Sequence, residues 1–454
     1  MGVLIPQPPN DIHNCPILQS LRQKSTPSDG LSEKVEQFLV IASPLLDLIV
    51  AGPFREYTLH NPGHAKKLVH LTGQILSDET QKKLSALECT VIVYAAFLHD
   101  MGMCLTSTER ERIIQGEEFI ESLPTWQELW RELESARSRL RSTEGSKRLP
   151  LETKIFQLHE AALAAYLRPR HATQERYLEL LDRIERQSGR SDLFALNGVS
   201  FRDALVDICV SHNLDVGVLT EARGPYDERF PRALAIGGQR LNTQFCAAIL
   251  RLTDILDFDR ERTPRVLFES LGIAQRVIPG AELSLREWQK HMSVHALEIA
   301  GEELVVSADS YHPAIESAIR EFCRVIEREL RDTAAVLRRN TPEVLESYNV
   351  DLPVVVRPQI RSHGYVFKDM SFRLNKSSIL NLFMGEQLYS RPEAAVRELI
   401  QNALDACSAR AIFEAPGYVP TIAVTATTDE EGRTWLEVRD SGIGMDEHVL
   451  LVFA

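Results

Sequence analysis

Histidine and aspartate recur through the first 260 residues in settings that suit a metal ion. In TLHNPGHAKKL (58–68), Asn61 suits a helix N-cap and Pro62 the first helical position. His64 then falls in the first turn of a helix, where backbone N–H groups favour anions such as a phosphate. FLHDMGM (97–103) closes a strongly apolar stretch with His99 and Asp100. A charged pair in that position needs a partner, and a cation is one. ILRLTDILDFDRERTP (249–264) holds Asp254 in an apolar run, with Asp257 further along the same helical face. QLHEAALAAYL and ICVSHN set His159 and His212 in apolar helices. Singly each signal is weak, because a lone histidine on an apolar face is more often a satisfied core residue. Together they form a mixed imidazole and carboxylate set, which suits Mn²⁺, Fe²⁺, Zn²⁺ or Ni²⁺ rather than Ca²⁺.

A second constellation lies near the C-terminal end. In RPEAAVRELIQNALDACSAR, Glu398, Asn402 and Asp405 are spaced to share one face of one helix. A carboxylate and an amide on one face can orient a water and Mg²⁺, which prefers oxygen ligands. Leu399 and Ala403 are expected to pack against a sheet. Further on, DSGIGM follows a predicted strand. Gly442 and Gly444 permit a tight turn and close backbone approach. The Asp440 carboxylate can accept a hydrogen bond from an exocyclic amine such as that of adenine.

The elements that must position these groups follow from periodicity. Residues 1–30 are rich in Pro and polar residues and read as a loose lead-in. From 31 to 265 apolar residues return at three and four, as in amphipathic helices, with a helical insertion at about 107–190 broken at STEGSKRLP. Residues 266–345 read as a hairpin (HALEI and ELVVS around AGEE) and one long amphipathic helix starting near Pro313. Residues 346–365 read as an extended linker, and 366–454 as a further unit of one helix and two strands.

The chain has 454 residues, enough for two or three domains, and a net charge of −13. That balance argues against a broad nucleic-acid footprint, which is usually basic. The locally basic stretch 131–148 reads as a solvated helix face and loop. Seven cysteines without a paired spacing indicate buried thiols in a reducing compartment rather than a disulfide framework. No signal peptide is evident, and no apolar run reads as long enough to cross a membrane, so a cytoplasmic protein is expected.

The order H…HD…H…H…D on helices resembles the HD-domain superfamily of metal-dependent phosphohydrolases. The run RLTDILDFDRERTP is close to the final motif of a bacterial subfamily whose HD domain is fused to an Hsp-type ATPase. The resemblance covers roughly 40–345. It implies that His64, His99, Asp100 and Asp254 hold a first metal ion. Asp100 would bridge to a second, with His159 and His212 as further ligands. The cation (Mn, Fe, Ni, Zn or Mg) would activate water for attack on phosphorus. His60, Arg251, Arg260 and Arg262 are candidates for phosphate contact or proton transfer. The pair ELIQNALDA and DSGIGM likewise resembles the N-box and first glycine box of GHKL (Bergerat) ATPases, most of all their chaperone branch. By that resemblance Glu398 would activate the hydrolytic water, Asn402 would hold Mg²⁺ and Asp440 would read the adenine of ATP. Asp405, Gly442, Gly444 and Met445 would shape the pocket.

The expected fold is therefore a mainly α-helical HD domain, a small α+β segment, and the first part of a GHKL α/β sandwich. The rest of that sandwich, with its lid and second glycine box, is expected beyond Ala454, so that this chain would bind ATP poorly. The expected activity is hydrolysis of a phosphate ester in a nucleotide or nucleic acid, gated by the ATPase, with bacterial stress or antiviral defence as its setting. Regions past the chain's end are expected to support a homodimer. The rival readings are a non-catalytic, chaperone-like binding platform and an HD-type single-strand nuclease.

Overall fold

Residues Ala86–Leu98 are apolar on every side, so the helix they form can only be stable inside the protein. In the computed structural model every one of them is buried. The structure describes residues 2–3, 12–54, 57–115, 124–224, 227–275, 278–279, 281–338, 348, 350, 352–368, 393–413, 417–428 and 434–444. Two compact units divide the chain, Met1–Lys368 and Asp369–Ala454.

The first unit opens with α1 (Pro16–Lys24), α2 (Leu31–Ala51), α3 (Pro62–Ile75), α4 (Asp78–Lys83) and α5 (Ala86–Leu98). A capping box starts α5: Ser85 accepts from the Glu88 amide, and Glu88 accepts from that of Ser85. Phe38 on α2 meets Tyr94 on α5 with ring centroids 4.3 Å apart. Part of the expected lead-in belongs to the core, because α1 buries Ile17, Leu18 and Leu21 against α5. The insertion forms α6 (Ser107–Gln115), α7 (Pro124–Arg141), α8 (Arg148–Leu167) and α9 (Gln174–Ser188), with its break between α7 and α8. Next come α10 (Arg202–Ser211) and α11 (Thr243–Leu256), both packed on α5, then α12 (Arg265–Ser270) and α13 (Ala281–Ser293).

The hairpin and long helix belong to the same unit. Strand β1 (Gly2–Val3) pairs antiparallel with β2 (Val294–Ala300), which pairs antiparallel with β3 (Glu303–Ser310). Helix α14 (Pro313–Arg338) follows and packs against α11. Residues 355–362, read from sequence as part of a linker, form β4 (Val355–Ser362), parallel to β3 with Val355 opposite Glu303. α14 is the crossover that a parallel pairing requires.

One stretch, Ala86–Gln115, is long and apolar enough to cross a membrane by length and composition, contrary to the reading of the sequence. Its most apolar window is 89% buried inside the fold, since α5 is the central helix.

The second unit contains α15 (Glu393–Phe413) and the antiparallel strands β5 (Ile422–Thr428) and β6 (Thr434–Asp440). The helix buries Ala403 and Cys407, while Leu399, expected to pack, is 49% exposed.

Candidate metal centre

Four helix C-termini converge on one buried spot in the first unit. His99 is the C-cap of α5 and Asp100 follows it. His212 is the C-cap of α10, Asp254 lies in the last turn of α11, and His171 stands just beyond the end of α8. The carbonyl end of a helix carries partial negative charge, so this convergence favours a cation. His64 enters from the opposite sense, in the first turn of α3, where Asn61 accepts the His64 amide and Pro62 holds the first helical position as expected.

Each imidazole is locked in one tautomer. His99 donates Nδ1–H to the Ala96 carbonyl (3.0 Å), His171 to that of Arg168 (2.7 Å) and His212 to that of Cys209 (2.5 Å). All three acceptors are last-turn carbonyls without a helical partner. His64 donates its Nδ1–H to Asp257 Oδ2 at 2.6 Å. In the neutral rings every Nε2 therefore carries the lone pair. Yet His64 Nε2 lies 3.3 Å from His99 Nε2, and His171 Nε2 lies 3.2 Å from His212 Nε2. Two lone pairs facing each other repel unless a metal cation or a proton sits between them.

The carboxylates complete both sets. Asp100 Oδ2 is 3.0 Å from His99 Nε2 and 3.5 Å from His64 Nε2, and Asp254 Oδ1 is 3.4 Å from His64 Nε2. Donor atoms of His64, His99 and Asp254 lie within 4.8 Å of one another, as do those of Asp100, His171 and His212. Nitrogen and oxygen donors with outer-shell partners fit a divalent transition metal. A proton competes for the same spot. Burial opposes charge on His99, but Asp100 and Asp254 outweigh it and push the imidazole up to about 10. Burial, aided by His99, instead holds His212 down to about 4, neutral and able to coordinate.

A second shell fixes this arrangement. Lys67, buried on α3, is ion-paired with Asp257 (2.9 Å) and Asp259, so it steadies the carboxylate that orients His64. The Tyr177 hydroxyl donates to the His99 carbonyl. Gly102 lets the turn after Asp100 lie against the backbone of His171, for a Cβ there would stand 1.9 Å from the His171 carbonyl oxygen.

The site gathers His64, His99, Asp100, Asp254 and His212 but leaves His159 outside. His159 lies within α8, more than two turns before its end, and its Nε2 accepts from Arg137 at 3.0 Å. His171 instead lies with Asp100 and His212. The available signal was position: the gathered histidines stand at helix ends, whereas His159 stands mid-helix. Apolar surroundings, which drew attention to His159, mark a core face instead.

The arginines also divide. Arg262 is buried beside the site, with Nη2 3.1 Å from His60 Nδ1 and Nε 3.7 Å from Asp257. His60 Nδ1 lies 2.6 Å from Asp100 Oδ2, and burial holds its pKa down to about 4. Arg251 is fully committed elsewhere: it pairs with Glu329 at 2.7 and 3.1 Å and donates to the Ser211 and Leu214 carbonyls, pinning the end of α10 that carries His212. Arg260 is exposed and lines a separate cavity with Arg265, His295 and Tyr311. Above the cluster opens a cavity of about 460 Å³ reached by Asp100, His171, His212, Asp254 and Arg262.

In the second unit Glu398, Asn402 and Asp405 are exposed on α15, and Asp405 accepts from Gln401 at 3.0 Å. Asp440 Oδ1 accepts the Gly442 amide at 2.8 Å, closing a turn packed on the helix, where a Cβ at Gly442 would meet Ala406 at 2.5 Å. Gly444 has φ of 71°, as its turn demands. Met445 lies outside the described residues.

A family model described as HD-CE matches residues 54–332, more than half of the chain. The chain belongs to this family, and the matched span contains the whole His/Asp cluster, so the domain is of the HD type with a candidate site for a divalent metal. No solved structure matches the chain.

Proposed function

We propose that this protein is a divalent-metal-dependent phosphohydrolase acting on a phosphate ester of a nucleotide or nucleic acid. The observation that carries the reading is the two pairs of facing Nε2 atoms, at 3.3 and 3.2 Å, with the buried Asp100 beside both. His64, His99, Asp254 and Asp100 would hold one cation, and Asp100, His171 and His212 a second. A cation there supplies Lewis acidity, which polarises a phosphoryl oxygen and acidifies water. The chain's own groups do the rest. Asp257 and the last-turn carbonyls hold the imidazoles in register. Arg262 offers an anion the positive charge of a guanidinium beside the cavity. His60, neutral and in contact with Asp100, is placed to accept a proton or pass one on.

Within the same proposal, the second unit belongs to a GHKL ATP-binding domain. Glu398 would be its base, Asn402 its Mg²⁺ ligand and Asp440 its adenine reader, with Asp405, Gly442, Gly444 and Met445 around the nucleotide. This unit would gate the hydrolase in a homodimeric protein serving bacterial stress or antiviral defence.

Elemental analysis of the purified chain, with phosphatase and phosphodiesterase assays in Mn²⁺, Ni²⁺ or Mg²⁺, tests the central claim. Bound transition metal and turnover abolished by Asp100→Asn are expected. A metal-free, inactive protein, or turnover that survives the substitution, would refute it.

A further inference from the structure

A second cavity adjoins the metal cavity and shares Tyr57, Arg168 and Asn213 with it. Its volume is about 510 Å³, within the range of small-molecule sites. The two differ in character. The first has a floor of imidazole and carboxylate. The second is walled by Leu129 on α7, Ala161 and Ala165 on α8, Ile278 and Pro279 before α13, and Leu283 in its first turn. Its one carboxylate-bearing wall residue, Glu160, is already paired with Arg110. An inorganic phosphate at the cluster would need none of this apolar surface.

We propose that the second cavity seats the organic group of the phosphate ester, a flat ring such as a nucleobase or aryl group, while the phosphate lies next door over the His/Asp cluster. The proposal rests on the phosphohydrolase reading and adds the recognition of what the phosphate is attached to. Arg168 marks the boundary. It caps α8, is exposed, and its guanidinium lies over the Tyr57 ring, 5.4 Å from the centroid. No carboxylate among the described residues pairs with it, so its charge is available to a phosphate. Tyr57, facing both cavities, supplies an aromatic surface for the ring.

The inserted helices join the two tasks. α8 presents Ala161 and Ala165 to the apolar cavity, and the turn that ends it delivers His171 to the cluster. The insertion thus builds the wall that recognises the ester and supplies one of the groups that hold the metal. Specificity among esters resides in this segment rather than in the helices carrying His64, His99 and Asp254.

The test is calorimetric titration of the Mn²⁺-loaded full chain with phenyl phosphate and with inorganic phosphate. Phenyl phosphate is expected to bind about tenfold more tightly, the ratio that one buried ring readily supplies. Ala165→Trp fills the cavity and is expected to remove that advantage while inorganic phosphate binds as before. Arg168→Ala is expected to weaken both anions. Ala161→Leu, a smaller intrusion, is expected to shrink the advantage in the same direction and serves if the tryptophan variant does not fold. An advantage absent from the unmodified protein, or unchanged by filling the cavity, overturns the proposal while leaving the metal centre standing. Phosphate binding that is the same with and without Mn²⁺ overturns the metal-centre reading and the proposal with it.

Discussion

His159 and His171 are 12 residues apart, and only one belongs to the cluster. His171 has its Nδ1 tied to a last-turn carbonyl and its Nε2 aimed at His212, while the lone pair of His159 is taken up by Arg137. His171→Ala is therefore expected to lower the metal content by one ion per chain, and His159→Ala to leave it unchanged, as counted by elemental analysis. Asp100 groups with His171 and His212 and also lies within 3.5 Å of His64 and His99, so Asp100→Ala is expected to remove most bound metal while the helical circular dichroism persists. Phosphate contact divides in the same way. Arg262 faces the cavity, but Arg251 is saturated by Glu329 and two carbonyls, so its loss would damage the placing of His212 rather than the grip on phosphate.

Elements meet where side chains allow it. The turn Met101–Met103 after α5 lies against the turn after α8 because residue 102 is glycine. Gly102→Ala is expected to cost about 1–3 kcal/mol, the usual penalty for overpacking. By displacing His171 it should also empty the second ligand group before the first, which thermal melting and metal titration together would show. α3 is bound to the loop after α11 by the buried Lys67, held between Asp257 and Asp259. Lys67→Met would leave those carboxylates buried without their cation. A loss of roughly 3–5 kcal/mol is expected, the usual cost of breaking a buried pair from one side, read from chemical denaturation.

At the scale of the whole molecule, several buried imidazoles set a dependence on pH. Burial, with Arg137 and Arg110 nearby, holds His159 down to about 4, and burial with Arg262 and Lys290 holds His291 well below its ordinary value. Both are neutral in the folded state but take up protons on unfolding once the pH falls below about 6.5, the ordinary histidine value. The unfolded state then binds more protons, so stability falls as pH drops from about 6.5 towards 4. A decline in melting temperature over that window is expected, and a flat profile would contradict it. Added Mn²⁺ should stabilise the fold at neutral pH by about 2.7 kcal/mol at a hundredfold excess over Kd, read as a rise in melting temperature. The rise should shrink on acidification, because protons compete for the ligating imidazoles.

Much of this protein is local in origin and was legible in its residue order. The Asn61–Pro62 start of α3, the predominantly apolar α5, the hairpin around Gly301 and the long α14 are each coded within a few turns of chain. So are His64, His99, Asp100 and Asp254, because their unusual setting shows in their immediate neighbours. What only the tertiary structure decided involves distant partners. Strand β4 has no turn to announce its parallel pairing with β3, since a whole helix intervenes. Asp257 reads as one more aspartate on a helical face until His64 and Lys67 arrive from almost two hundred residues away. The choice of His171 over His159 depends on which helix ends converge. That is a property of packing: periodicity reports the face a helix buries, not the place in space where it stops.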